Sequence, residues 1–455
     1  MNDEAPKLQV VGIGASAGGI ESLKDFFSEM PDDSGLAFVV VQHLDPNHAS
    51  YMADLLGRQT KMKVAPAQEG SPVRSNCVYT IPPNKFLSIE DGVLHLTDPI
   101  KRDGLRMPID FFFRSLTKDQ DSKAIAVLFS GSGSDGTLGI REIRGAGGLV
   151  IVQNPESAQF DHMIASAIDT GLVDYILPVR EIPRKLLEYI RQTPAHGGTD
   201  VETIEDTINS ILDLLVNQTK NDFRCYKKTT VQRRIERRMG LNLIRDIGDY
   251  YRFVSNNPDE QTKLAKDMLI GVTSFFRDPD AFNELSEKVI VPLVQQKKNA
   301  DPLRIWIAGC ATGEEAYSIV ILLMEEMARL KKNTSLQVFA SDIDKDALKS
   351  AREGIYSQSI VADVSEERLA RFFGKKDSVY QVVKGVREVI TFAEHNVITN
   401  PPFMRMDLIS CRNLMIYVEP EMQKKIANLF AFALKAPALP VSRQIGWTHW
   451  RQQHV

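Results

Sequence analysis

Three short stretches bring a hydroxyl, an imidazole and a carboxylate to notice: GIGASAGG (12–19) with Ser16, VVVQHLDP with His43, and VLFSGSGSDG with Asp135. Acyl transfer uses those three groups together, as nucleophile, as base near neutral pKa, and as the buried anion that holds the base's tautomer. Each stretch has a second reading. Gly12, Gly14 and Ala17 match the G-x-G-x-x-G/A spacing of a dinucleotide-binding turn, which would make Ser16 only a small residue beside a phosphate. That turn calls for an acidic residue about 20 positions on, at the end of the next strand. Asp45 comes late for this role, and His43 holds the better position. His43 could instead pack under a loop, and Asp135 could cap the helix that follows SGSGS.

A second constellation lies downstream. WIAGCATGEEAYSIV reads as strand, G-x-x-x-G loop and helix, a loop that lets a ligand approach the backbone. The next strand, LQVFASDID, ends at Asp342, where a carboxylate could accept hydrogen bonds from two ribose hydroxyls or cap the helix at KDALKSAR. The loop lacks G-x-G-x-x-G, which favours S-adenosylmethionine over a nicotinamide cofactor. Between the two constellations, KKTTVQRRIERR sets Arg233, Arg234, Arg237 and Arg238 at helical i, i+4 spacing behind Lys227 and Lys228. Such a run reads as a solvated helix face or as an RNA-binding surface. No aromatic residues interleave it, so stacking on nucleic-acid bases is not expected.

The elements that must position these residues alternate. LQVVGIG, LAFVVVQ, AIAVLFS and GLVIVQ are strands buried on both faces, separated by amphipathic patterns such as GGIESLKDFFSEM and SDGTLGIREIRGAG. Strand and helix in alternation predict an α/β fold with a parallel sheet. In such a sheet functional groups gather at the carboxyl ends of strands, where Ser16, His43 and Asp135 all fall. The stretch 61–100 predicts an antiparallel excursion. A chain of 455 residues calls for more than one core. The reading is a first α/β domain over 1–191, a Pro- and Gly-containing linker over 192–200 (QTPAHGGTD), a helical subdomain over 201–298, and a second α/β domain over 299–455. The formal net charge of −4 argues against a general nucleic-acid binder, and the four scattered cysteines suggest neither a metal site nor a disulfide framework. No apolar run reaches the roughly 20 residues of a membrane span and no signal peptide is evident, so a cytoplasmic protein without membrane insertion is expected.

GIGASAGG, VVVQHLDPNH and LFSGSGSDGTLGI together resemble the catalytic domain of the chemotaxis-type protein-glutamate methylesterase, CheB, over about residues 8–190. The resemblance implies a catalytic serine, histidine and aspartate at Ser16, His43 and Asp135, with hydrolysis of receptor glutamate methyl esters and deamidation of receptor glutamines. The family's usual preceding phosphoreceiver domain is not in this sequence, and FDHMIASAI lacks the family's usual proline. TSFFRDP, GCATGEEAYS, ASDID, FAEHNV and MDLISCRNLMIYV resemble the chemotaxis-type protein-glutamate O-methyltransferase, CheR, over about 201–434. That second resemblance implies a Rossmann-like fold with an S-adenosylmethionine pocket lined by Thr273, Arg277, Glu315, Asp342, Asn396, Val397, Arg412 and Asn413. It implies that Tyr417 lies beside the transferred methyl, and that Arg277 and Tyr417 orient the reactants. It also implies that the basic helix, with Arg233, Arg234, Arg237 and Arg238, faces the acidic methylation segment of a methyl-accepting receptor. VYQVVKGVREVITF resembles the family's small antiparallel subdomain for receptor docking. After ANLFAFALK the sequence departs from the family, and the final strands are expected to be missing after about residue 435. The expectation is a bifunctional receptor-modifying enzyme. Its rivals are a signalling scaffold with an inactive methyltransferase half, or a dinucleotide-dependent oxidoreductase in the first domain.

Overall fold

The computed structural model describes residues 8–43, 51–99, 107–192, 201–269, 271–298, 301–376 and 379–435. The chain divides into two compact units, one of Met1–Arg224 with Lys228–Val272, the other of Cys225–Lys227 with Thr273–Val455. The first α/β domain and most of the helical subdomain thus form one unit. The two compact units divide after Val272.

The first unit is built on a seven-stranded sheet. Its order is Tyr175–Leu177, Leu149–Gln153, Ile125–Leu128, Val10–Ala15, Ala37–Gln42, Cys77–Thr80, Lys63–Pro66, and each neighbouring pair is parallel. The β-branched runs of its central strands are buried on both faces, as a parallel sheet between helices requires. Side chains alternate between two cores. Val10, Val39 and Val41 pack with Phe112, Phe113 and Ile140 from the helices Pro108–Gln120 and Thr137–Ala146. Val11, Ile13, Phe38 and Val40 pack with Leu23, Phe26 and Leu186 from the helices Gly19–Glu29 and Ile182–Gln192. The antiparallel excursion is partly as read: Ser71–Pro72, Val93–Thr97 and Phe86–Glu90 form a three-stranded antiparallel sheet. Lys63–Pro66 and Cys77–Thr80, from the same stretch, extend the parallel sheet instead.

The helical part of this unit contains Val201–Thr219, Lys228–Leu241, Ile247–Ser255 and Pro258–Met268. The second unit has a four-stranded parallel sheet in the order Ile390–Glu394, Leu336–Asp342, Leu303–Ala308, Leu408–Ser410. A small antiparallel sheet of Ile355–Ser357, Val379–Val382 and Phe373–Lys376 stands beside it. From VYQVVKGVREVITF, only the first four residues join the small sheet; Ile390–Glu394 is an edge of the large one. The unusual C-terminal sequence, 436–455, lies outside the described residues, as does Asp45.

Candidate active sites

The first unit changes direction at Val10–Ala15: the chain runs from this strand to Ala37–Gln42 on one side and later returns to Ile125–Leu128 on the other. A crevice forms at the carboxyl ends of strands where the order reverses in this way. Ala15 is paired with Gln42, so Ser16 and His43 are the next residues along two adjacent strand ends. On the other side, the Ser16 N–H donates to the Ser130 carbonyl at 3.0 Å. The Ser130 hydroxyl, fully buried, donates to the carbonyls of Ala17 (3.0 Å) and Phe160 (3.1 Å) and ties the serine turn to the neighbouring loops.

Asp135 is 1% exposed and fully occupied. His43 Nε2 lies 2.7 Å from its Oδ2, and the N–H groups of Ile109 and Asp110 donate to Oδ2 and Oδ1 at 2.9 Å each. The Gly136 N–H adds a fourth contact at 2.9 Å. Gly136, not Asp135, takes the cap position before Thr137–Ala146, so Asp135 is committed to the histidine. The two helix N-termini around the carboxylate favour its negative charge. Within the triad-like set the structure brings together His43 and Asp135 directly, and Ser16 by strand register.

The glycines of the opening motif do something the sequence did not suggest. A Cβ at Gly14 would stand 2.6 Å from Ile109 Cγ2, and one at Gly12 would stand 2.9 Å from Phe113 Cε1. These glycines let the helix Pro108–Gln120 lie against the strand, which brings the Ile109 and Asp110 N–H groups to Asp135. Gly18, with φ +74°, makes the turn itself. The spacing that resembled a phosphate-binding fingerprint is used for helix–strand packing.

In the second unit, Asp342 ends the strand Leu336–Asp342 and faces the loop after Leu303–Ala308. Its Oδ2 accepts the Ala311 N–H at 2.8 Å and its Oδ1 the Asp344 N–H at 2.9 Å. The helix Lys345–Glu353 is capped by Asp344, not Asp342. Burial pushes the Asp342 carboxyl above its ordinary pKa, and the two N–H bonds only partly offset this. Glu315, on the first turn of Glu314–Arg329, accepts the Ser410 hydroxyl at 2.6 Å; burial raises its pKa too, against the opposing pull of Ser410, Arg412 and Arg277. Arg412 donates to the Arg277 carbonyl (2.9 Å) and to Asp278 (3.2 Å), and lies 4.6 Å from the centre of the Phe282 ring. It braces a turn in which Phe276 and Asp278 both have positive φ, 47° and 58°. Non-glycine residues hold such conformations only where the surroundings impose them. Phe275, buried edge-on against Tyr356 and Phe373, anchors that turn. Asn396 accepts the Ile398 N–H, next to His395, whose N–H donates to the Asp342 carbonyl. Val397 is buried, Asn413 has φ 60°, Tyr417 closes a short helical turn, and Thr273 opens the unit half-buried.

Three contributors to these sites carried no sequence signal. Ser130 stands in a run, SGSGS, whose three serines are equivalent until the fold selects one, and Ser410 is a lone serine whose partner Glu315 lies 95 residues earlier. Tyr226 belongs to a three-residue strap, Cys225–Lys227, that pairs with the segment around Val418, while the Lys227 N–H donates to the Tyr417 carbonyl. Burial raises the Tyr226 phenol's pKa, and the nearby charges of Cys225, Asp342 and Tyr417 add to it. A tyrosine 191 residues before Tyr417 could not be assigned there from spacing.

The basic helix corrects an expectation. Arg234, Arg237 and Arg238 are 4%, 3% and 8% exposed, so they do not present a solvated face. Arg237 binds Asp267 at 2.6 Å, Asp174 in a shorter contact, and the Gly148 carbonyl at 3.2 Å. Arg238 forms a two-point pair with Glu260 at 2.8 and 2.5 Å. Arg233 is partly exposed and paired with Asp121. A guanidinium is buried only when paired, and every acid named here supplies that pairing within the first unit. Arg234, Arg237 and Arg238 are therefore engaged inside the first unit and do not face solvent.

Sequence comparisons extend this picture. Residues 11–186 match the CheB methylesterase family, residues 206–269 the all-alpha domain of CheR methyltransferase, and residues 271–440 the S-adenosylmethionine-binding domain of CheR methyltransferase. The chain belongs to the CheB methylesterase and CheR methyltransferase families, joined in one polypeptide. It is 38% identical over 408 residues to an uncharacterized 104.1 kDa protein of Rhodobacter capsulatus, a match covering 84% of this chain and 43% of that protein. The Pseudomonas putida protein named methyltransferase Cher3 is 32% identical over 51% of this chain and 84% of its own length. A Leptospira interrogans protein, by name a protein-glutamate methylesterase/protein-glutamine glutaminase, is 33% identical over 38% of this chain and 91% of its own length. Among the described residues, no helix is long and apolar enough to cross a membrane, and no His, Cys, Asp and Glu cluster could hold a metal ion.

Proposed function

We propose that this chain both removes and adds methyl groups on glutamyl side chains of a methyl-accepting sensory receptor, working in the cytoplasm. The observation that carries the first half is His43 held by Asp135 beside Ser16 at the sheet's switch point. In this reading His43 Nδ1, the nitrogen not engaged by Asp135, takes the Ser16 proton as Oγ attacks the ester carbonyl. The imidazolium returns that proton to the departing methoxide, releasing methanol. Water, deprotonated by the same histidine, then hydrolyses the glutamyl ester on Ser16. Asp135 holds the ring and stabilises its cationic form. The N–H groups of Ser16, Gly19 and Gly131 are spent on backbone carbonyls, so Ala17, directly after the nucleophile, is the favoured oxyanion donor. Deamidation of a receptor glutamine follows the same path with ammonia leaving.

The second unit's cleft suits S-adenosylmethionine, which supplies an activated methyl group when bound. Two half-buried carboxylates, Asp342 and Glu315, line it, and both are raised in pKa, as expected of acids awaiting hydroxyl or cationic partners. Asp342 would bind the ribose hydroxyls. Thr273, Arg277, Asn396, Val397, Arg412 and Asn413 would complete the pocket. Arg277 and Tyr417 would orient the receptor carboxylate, which needs no base because it is already ionised at neutral pH. Alignment and exclusion of water then supply most of the rate.

The test is transfer of labelled methyl from S-adenosylmethionine to receptor-bearing membranes, followed by its release as methanol. The intact chain should do both. Ser16→Ala should methylate and retain the label, and Asp342→Ala should incorporate almost none. Binding of S-adenosylmethionine without any transfer would favour a signalling scaffold.

A further inference from the structure

The catalytic carboxylate is clasped by the N-terminal ends of two helices. Pro108–Gln120 gives it the N–H groups of Ile109 and Asp110, and Thr137–Ala146 follows it immediately. These helices are locked together near the carboxylate: Asp110 Oδ1 accepts the Gly139 N–H at 2.7 Å, and a Cβ at Gly139 would come within 2.4 Å of Phe113 Cβ. The helix Lys228–Leu241 reaches the far ends of both. Arg234 donates to the Arg144 carbonyl at 3.1 Å and to the Gly145 carbonyl in a shorter bond, covering the last carbonyls of Thr137–Ala146. Arg233 pairs with Asp121, just after Pro108–Gln120. Arg144, on the same final turn, binds Asp267 of the helical part at 2.5 Å. The approach is so close that a Cβ at Gly145 would stand 1.7 Å from Val272 Cγ2.

We propose that Arg233 and Arg234 are positioning residues for ester hydrolysis: a helix from the methyltransferase-type sequence fixes the far ends of both helices that hold Asp135. The Gly147 N–H already caps the Arg144 carbonyl at 3.1 Å, and a cation at a helix C-terminus adds a second partner to such carbonyls and complements the dipole. Removing it leaves the buried end of Thr137–Ala146 free to shift, and small displacements of a catalytic group cost rate rather than binding. The inference rests on the esterase reading of Ser16, His43 and Asp135.

The test measures kcat and KM for methanol release from a peptide bearing a glutamate γ-methyl ester, using the full chain. Arg234→Met should lower kcat about tenfold, and the milder Arg233→Met two- to threefold, each with KM within about twofold of the parent. Arg234→Lys, which keeps the cation, should recover part of the loss. A folded Arg234→Met with the parent kcat would overturn the proposal, as would a loss appearing only in KM. If Arg234→Met does not fold, Arg234→Lys and Arg233→Met decide: lowered kcat at constant KM supports the proposal, and parent kcat in both overturns it. An intact chain that releases no methanol would instead defeat the esterase reading on which the proposal stands.

Discussion

Two groups of acids in this chain, one buried and one half-buried, have opposite settings. In the first unit, Asp267 sits among Arg144, Arg237 and Arg238. Burial works to raise its pKa, but the three guanidiniums outweigh burial and leave it below its ordinary value. In the second unit, Asp342 and Glu315 are held by N–H and hydroxyl groups, and burial prevails, raising both. The same chemical group is thus a finished structural contact in one place and an incompletely neutralised one in the other. A paired acid is spent on the fold, whereas an acid kept above its ordinary pKa has capacity left for a ligand.

The sharpest way to break this contrast is to remove the paired acid. Asp267→Ala leaves Arg237 and Arg144 buried with Asp174 as their one remaining shared acid, and should destabilise the first unit by about 3 kcal/mol in denaturant unfolding. A loss under about 1 kcal/mol would mean that the cluster is not structural. Next comes ligand capacity. Asp342→Ala should weaken binding of S-adenosylhomocysteine at least about 100-fold by calorimetry, through loss of two hydrogen bonds to a charged group. Smaller in size but opposite in sign, Glu315→Gln should raise the second unit's melting temperature by roughly 2 °C while weakening the same ligand. Lowered stability there would show that Glu315 is a structural acid like Asp267.

The smallest effect is in pH. A carboxyl raised in the folded state favours the protonated fold, so the second unit loses stability as pH rises through the pKa values of Asp342 and Glu315. A lowered carboxyl does the reverse. Asp267's contribution is complete above its unfolded pKa of about 3.9 and is lost as pH falls through its lower folded value. Unfolding followed from pH 7 to 3 should therefore show a modest gain for the second unit in mild acid, and a loss for the first only below about pH 4.

Much of this architecture was legible in the sequence. Apolar runs at LAFVVVQ and GLVIVQ had to be double-sided strands, and both are. Ser16, His43 and Asp135 could be gathered at one sheet edge because strand ends in a parallel sheet share a side. What escaped was anything decided by packing between distant segments. The i, i+4 arginines looked solvent-facing because charge spacing describes only the helix itself, and Asp174, Asp267 and Gly148 come from elsewhere. Gly12 and Gly14 looked like a ligand loop because spacing cannot report that Ile109 and Phe113 fill the space beside them. The helix Lys228–Leu241 joins the first compact unit for the same reason, through contacts such as Arg234 to the Arg144 carbonyl that chain order does not report.

The central claim is that Ser16 is a nucleophile activated through His43 and Asp135. The direct measurement is the rate of covalent modification by a fluorophosphonate serine probe, with the adduct located by mass spectrometry. The account predicts one adduct, on Ser16, formed at least about 1,000-fold more slowly in His43→Ala and absent in Ser16→Ala. Modification of another residue, or a rate on Ser16 indifferent to His43, would contradict it.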